Sequence, residues 1–219
     1  MQTLPEMLAI QPGVTAVIGG GGKTTLLRAL ADALAGTVIL TTSTHIFPAE
    51  GVPCLTNASE ATVRDALRRS RVVCVGEPAA EGKLHAPALP FGALAALADH
   101  VLVEADGAKH LPLKAHQPGE PVIPEEATQV IAVVGLSALG MPITEAAHRP
   151  ALYARLAGCA ETTLVTPEIV ARALLAEGLH DRVFLNQAEG RLAEARQIAA
   201  GLGCPVVAGS LQRGVYQCL

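Results

Sequence analysis

The chain has 219 residues, half of them apolar and 16% charged, with 21 Gly, 15 Pro and a formal net charge of −4. That much apolar surface excludes a disordered chain, and the length fits one domain. Sixteen basic residues face twenty acidic ones, and no Lys/Arg run exceeds Arg68-Arg69, which argues against a nucleic-acid partner.

No apolar stretch reaches the ~18 residues that a membrane helix needs. The start, Met1-Gln2-Thr3-Leu4-Pro5-Glu6, lacks the positive-then-apolar order of a secretory signal. A soluble, cytoplasmic protein with no membrane partner is therefore expected. The five cysteines, Cys54, Cys74, Cys159, Cys204 and Cys218, contain no CxxC and suit neither a disulfide framework nor a zinc knuckle. Most are expected to be small core residues in strands.

In chain order, Val14-Thr15-Ala16-Val17-Ile18 is a mostly β-branched run that breaks into four glycines and then Lys23-Thr24-Thr25. This predicts strand, loop and helix. The helix carries Leu26, Leu27, Leu30 and Leu34 on one face, with Gly36 where a C-terminal cap belongs, and residues 37–42 form the next strand. Residues 59–69 read as an amphipathic helix with Val63, Ala66 and Leu67 inward, and residues 71–75 as a buried strand. Within the Pro- and Gly-rich stretch 76–92, Glu81-Gly82 suits the turn of a small exposed hairpin, followed by a helix at 93–98.

Val101-Leu102-Val103 then enters Glu104-Ala105-Asp106-Gly107. Residues 107–127 hold four prolines and little periodicity, a length of irregular chain that is uncommon unless it is functional. Beyond it come a strand at 130–134, helices at 150–156 and 167–176, a strand at 183–185, a helix at 191–202 and a strand at 205–208. Residues 135–149 suit an inserted or lid-like connection. Near-continuous apolar strands alternating with helices predict a single α/β domain over residues 1–219, with a mainly parallel sheet and helices on both faces.

The most informative stretch is Gly19-Gly20-Gly21-Gly22-Lys23-Thr24-Thr25, which joins a buried strand to a helix N-terminus. Unpaired backbone N–H groups and the helix dipole both favour phosphate there. Glycine lets the loop approach an anion, Lys23 supplies a mobile cation for the outer phosphates, and the Thr24 hydroxyl suits Mg²⁺. The spacing departs from G-x-x-x-x-G-K-[ST], since Val17 stands five positions before Gly22, so the loop is shorter or reshaped.

An apolar strand ending in Glu104 and Asp106 is where such folds hold the water shell of Mg²⁺. Both are candidates for the metal or water-positioning role, and Gly107 follows at acid-x-x-Gly spacing, where a backbone N–H senses a terminal phosphate. Thr41-Thr42-Ser43-Thr44-His45 ends the second strand, and its hydroxyls suit either the metal shell and an oxyanion, or turn capping. In the irregular segment stand Lys109, His110, Lys114, His116 and Glu120, with Lys114 the preferred functional residue, and His148-Arg149 forms a further cationic pair. Asn186-Gln187-Ala188-Glu189 follows a strand as the Asn-Lys-x-Asp element of guanine-specific folds does, but Gln187 and Glu189 depart from that pattern and leave ATP or GTP open.

These residues together resemble the YqeC family, accessory proteins associated with selenium-dependent molybdenum hydroxylases. The resemblance rests on residues 19–25 and 41–44, on Glu104-Ala105-Asp106-Gly107-Ala108-Lys109 continuing to Leu111-Pro112-Leu113-Lys114, and on Glu120-Pro121-Val122-Ile123-Pro124. His148-Arg149-Pro150, Thr166-Pro167-Glu168 and residues 186–189 extend it over about the full length. It implies a three-layer, P-loop NTPase-like nucleotide-binding protein, similar to metallochaperone-type GTPases and ATPases, that helps to build or load a selenium-containing molybdenum cofactor. Molybdenum hydroxylases or their cofactor-assembly proteins are the implied partners. The expected reaction is Mg²⁺-dependent nucleoside triphosphate hydrolysis with Lys23, Glu104 and Asp106 catalytic. Thr24, Glu104 and Asp106 are the expected metal residues, while residues 19–25, Gly107, Lys114, Asn186 and Glu189 are expected around the nucleotide. Small-molecule phosphorylation on the same loop and a non-hydrolysing nucleotide sensor are the alternatives.

Overall fold

The β-branched run ahead of the glycines forms the strand Gly13–Gly19, and the leucine-rich segment after them forms the helix Lys23–Ala33. The computed structural model describes residues 2–219 and divides them into two units, one holding residues up to Val17, Thr24–Gly107 and Val122–Val130, the other Ile18–Lys23, Ala108–Pro121 and Ile131–Leu219. Each is α/β with mainly parallel strands flanked by helices, as the alternation predicts, an architecture consistent with the P-loop NTPase-like class that the resemblance implies.

In the first unit five parallel strands follow the order Cys54–Leu55, Val72–Val75, Val38–Thr42, His100–Glu104 and the strand from Gly13. Val14, Ile39, Val73 and Val101 pack with Val63, Leu67 and Leu94 of the helices, which explains strands that are apolar without alternation. Ser59 caps the helix Glu60–Arg69 by accepting from Thr62 N–H, and Arg68 and Arg69 stand in its last turn where the dipole favours cations. The expected hairpin is present, Glu77–Pro78 against Leu84–His85, with His45–Ile46 added as a third strand. The helix predicted at 93–98 starts earlier, as Phe91–Ala95. Register decides the position of the acid, because Glu104 lies opposite both Val17 and Thr42 at the carboxyl end of the strands.

In the second unit the strand Ala127–Gly135, from Ile131 onward, pairs with Arg182–Asn186, which pairs with Val206–Ser210, all parallel. Val215–Cys218 then adds an antiparallel strand that the sequence reading omits, because its residues are exposed or half-buried and its apolar signal is weak. The helices Pro150–Ala157 and Pro167–Glu177 begin on proline and end on Gly158 and Gly178 in the left-handed conformation.

Two expectations need correction. Residues 135–149 are not lid-like, since Leu136, Ala138, Ile143, Ala146 and Ala147 are buried and Ala147–His148 pairs with Leu113–Lys114. Of the cysteines only Cys74 is buried, while Cys54 and Cys218 are exposed and Cys159 and Cys204 are half-buried, because short edge strands and chain turns leave them near solvent. Among the described residues no helix is long and apolar enough to cross a membrane.

Candidate functional site

The glycine loop is held against its own unit. Gly20 N–H donates to Val133 O at 2.9 Å and Gly21 N–H to Leu111 O at 3.1 Å, while Gly135 N–H donates to Pro112 O at 2.9 Å. At Gly19, with φ +98°, a Cβ would fall 2.3 Å from Val133 O, and at Gly21 a Cβ would fall 2.3 Å from Gly135 N. Glycine is thus required first by the close approach of protein backbone, a reason that the anion-based reading of the sequence does not contain. Lys23 is buried, and its ammonium donates to Gly19 O at 2.7 Å, folding the side chain back over the loop.

Asn186 clasps the same loop. Its amide donates to Gly21 O at 2.8 Å and its carbonyl oxygen accepts from Leu211 N–H at 3.1 Å, tying the loop to the segment after the strand Val206–Ser210. The following Gln187 has φ +60°. Glu189 is exposed, and the Ser210 hydroxyl beside it holds its carboxyl below the usual carboxylate range.

The acids belong to the other unit. The Thr24 hydroxyl, in the first turn of the helix Lys23–Ala33, donates to a Glu104 carboxylate oxygen at 2.7 Å. Glu104 is 7% exposed and Asp106 fully buried. The threonine run gathers on the Glu104 backbone: Thr42 Oγ1 donates to Glu104 O at 2.8 Å, Ser43 N–H donates to the same oxygen at 3.2 Å, and Thr44 N–H donates to Thr42 Oγ1 at 2.9 Å. Thr41 Oγ1 is buried with no hydrogen-bond partner. Gly107 is exposed with open space around the position of a Cβ. His45 is exposed and sits edge-on to His85 in the small sheet, so it takes no part in this cluster.

Lys114 is nearly fully buried and pairs with Glu120 at 3.0 Å. Arg149 grips the same carboxylate with both guanidinium nitrogens at 2.7 Å, and these two cations hold Glu120 down at about 2. Nearby, His116 donates its backbone N–H to Glu177 at 2.7 Å, with its Nδ1 3.0 Å from the same carboxylate. Sequence reasoning names Lys114, Glu120, His116 and Arg149 singly but misses both pairings, because Arg149 and Glu177 lie tens of residues away and no local pattern links them.

The fold and the loop define an α/β protein of the P-loop NTPase-like class, with a glycine-rich strand-to-helix turn and a hydroxyl–carboxylate pair at the carboxyl end of a parallel sheet. The chain matches the family described as YqeC protein over residues 15–151. It is also 36% identical over 174 residues to "Uncharacterized protein YqeC" of Escherichia coli (strain K12), across 74% of this chain and 67% of that protein. The chain belongs to the YqeC family.

Proposed function

We propose that this chain binds ATP or GTP with Mg²⁺ at the glycine loop and hydrolyses it, coupling turnover to maturation or delivery of a selenium/molybdenum cofactor for molybdenum hydroxylases. The observation that carries the nucleotide reading is the 2.7 Å contact between Thr24 Oγ1 and Glu104, a hydroxyl from a helix N-terminus meeting a buried carboxylate from a strand end. Such an all-oxygen pair suits a hard divalent ion that keeps several of its waters. Thr24 and Glu104 would hold Mg²⁺, with Asp106 two positions after Glu104 in the chain, and when bound the ion would neutralise charge on the phosphates.

The chain's own groups do the rest. Gly20 and Gly21 already spend their N–H groups on the protein, so a polyphosphate is met by the amides from Gly22 onward, at the positive end of the helix Lys23–Ala33. Lys23 releases Gly19 O and swings to the outer phosphates. Glu104 or Asp106 orients the attacking water, and the Gly107 N–H senses the terminal phosphate. Catalysis is positioning together with electrostatic stabilisation, with no covalent protein intermediate. Asn186 keeps the loop in its binding shape and Glu189 is assigned to the base. The coupling to a selenium/molybdenum cofactor is supported by the family resemblance alone.

Phosphate release at saturating ATP and GTP, with and without Mg²⁺, tests the reading. Turnover in the native chain that disappears in Lys23→Ala is expected, and turnover unchanged in that variant overturns it.

A further inference from the structure

The second unit carries a cationic cluster to which the hydrolysis proposed above gives no step. The short parallel pair Leu113–Lys114 and Ala147–His148 sets His148 opposite Lys114 in register. Arg149 follows directly and begins the helix Pro150–Ala157 with no side-chain cap and no acidic residue in the first turn. Lys109 stands exposed in the irregular segment, five positions before Lys114. Burial chiefly holds the His148 ring below the usual histidine range, with the charges of Lys114, Arg149 and Lys109 adding to it and Glu120 opposing. His148 Nδ1 is buried without a hydrogen-bond partner.

Glu120 acts as the organiser of this cluster. It fixes Arg149 through two 2.7 Å bonds and Lys114 through one at 3.0 Å, so both cations stand preformed. Three non-glycine residues of the cluster's chain segments, Lys109 (φ +49°), His110 (φ +62°) and Arg149 (φ +66°), adopt the left-handed conformation, a cost that the surrounding structure sustains. The cluster also borders the loop: Lys114 lines a small cavity together with Ile18 and Gly19, and Leu111 and Pro112 of the same segment lie against Gly20 and Gly21.

We propose that Lys109, Lys114, His148 and Arg149 form a receptor for a second, phosphate-like oxyanion, distinct from the nucleotide and bound beside the glycine loop. A doubly charged tetrahedral anion suits it, because Arg and Lys offer charge-assisted donors while the uncapped helix start adds backbone N–H groups. The anion is either a free inorganic ion or the phosphate of a small organic substrate. The inference extends the nucleotide reading by giving the reaction a second ligand, but the binding itself does not depend on hydrolysis.

The test is calorimetric titration of the full chain with inorganic phosphate and, separately, glycerol phosphate, at constant ionic strength and without nucleotide. The variants are Lys109→Gln, which is exposed and leaves the Glu120 pairs intact, His148→Asn, and Lys23→Ala in the loop. Phosphate binding that survives Lys23→Ala and weakens about tenfold in Lys109→Gln or His148→Asn is expected. Tighter binding of inorganic phosphate assigns a free ion, and tighter binding of the ester assigns an organic phosphate. No binding by the native chain, loss of binding in Lys23→Ala, or unchanged affinity in both cluster variants overturns the proposal. Failure of ATP and GTP turnover with phosphate binding intact would instead count against the nucleotide reading alone.

Discussion

The Thr24 hydroxyl donates to the Glu104 carboxylate across 2.7 Å, although 80 positions separate the two residues in the chain. The contact exists because Glu104 ends a strand in register with both Val17 and Thr42, the first just ahead of the glycine loop and the second at the end of the neighbouring strand. It gives the nucleotide reading its sharpest test.

Thr24→Ala removes the hydroxyl and Glu104→Gln the charge. Each is expected to lower Mg²⁺-dependent phosphate release by about 100-fold or more, the scale seen when one preorganised electrostatic group is lost. Thr24→Ser keeps an oxygen donor and is expected to retain most turnover. Metal titrations of the three variants provide the check, and equal activity in Thr24→Ala and Thr24→Ser would dismiss the metal role of the hydroxyl.

Close approach separates two glycines of similar φ. Gly19→Ala would drive a Cβ to 2.3 Å from Val133 O at φ +98°, whereas Gly140, at φ +86°, has nothing within 4 Å. Gly140→Ala carries only the left-handed backbone cost of about 1–2 kcal/mol. Gly19→Ala adds a backbone clash and is expected to cost more than about 4 kcal/mol or to prevent folding. Urea denaturation midpoints of the two variants make the comparison.

Asn186→Ala deletes both ends of the clasp between Gly21 and Leu211. The half-buried loop carbonyl and the buried Leu211 N–H lose a partner each, at a combined cost of about 2–4 kcal/mol. A fall of several degrees in the thermal midpoint is expected. Asn186→Asp keeps the acceptor for Leu211 but sets a buried carboxylate oxygen against Gly21 O, so its midpoint should fall at least as far.

Glu120 couples stability to acid. Its pKa lies at about 2 in the folded chain against 4.5 as an unperturbed carboxyl, chiefly because Arg149 hydrogen-bonds the charged form. The unfolded chain therefore takes up the proton first as pH falls. The stabilisation is complete above 4.5 and is lost progressively toward about 2. Urea midpoints measured across that window should fall less steeply for Glu120→Gln, which also starts lower at neutral pH because the buried Lys114 loses its carboxylate.

Burial pushes the Cys74 thiol up to about 11, against a hydrogen bond at the Ala49 backbone that lowers it and with a smaller upward push from the neighbouring Cys54. Iodoacetamide at mildly alkaline pH is accordingly expected to label the exposed Cys54 and Cys218 and to leave Cys74 unmodified until the chain unfolds. Peptide mass mapping reads the order directly, and early labelling of Cys74 would contradict its burial.

Much of this molecule is written locally. The turn from Val14–Ile18 through four glycines into a leucine-faced helix, the capped helix after Ser59 and the acids closing the strand at Glu104 each depend on residues a few positions apart, so periodicity and turn chemistry in the chain suffice to place them. The pairings are not local. Thr24 with Glu104, Asn186 with Gly21 and Arg149 with Glu120 arise from strand order and register, and the demand for glycine at Gly19 comes from Val133, more than a hundred residues away. The edge strand Val215–Cys218 likewise escapes detection because its place depends on hydrogen bonds to Val206–Ser210 and not on an apolar pattern of its own. Side-chain chemistry named the participants, and only the packing of distant segments decided which of them meet.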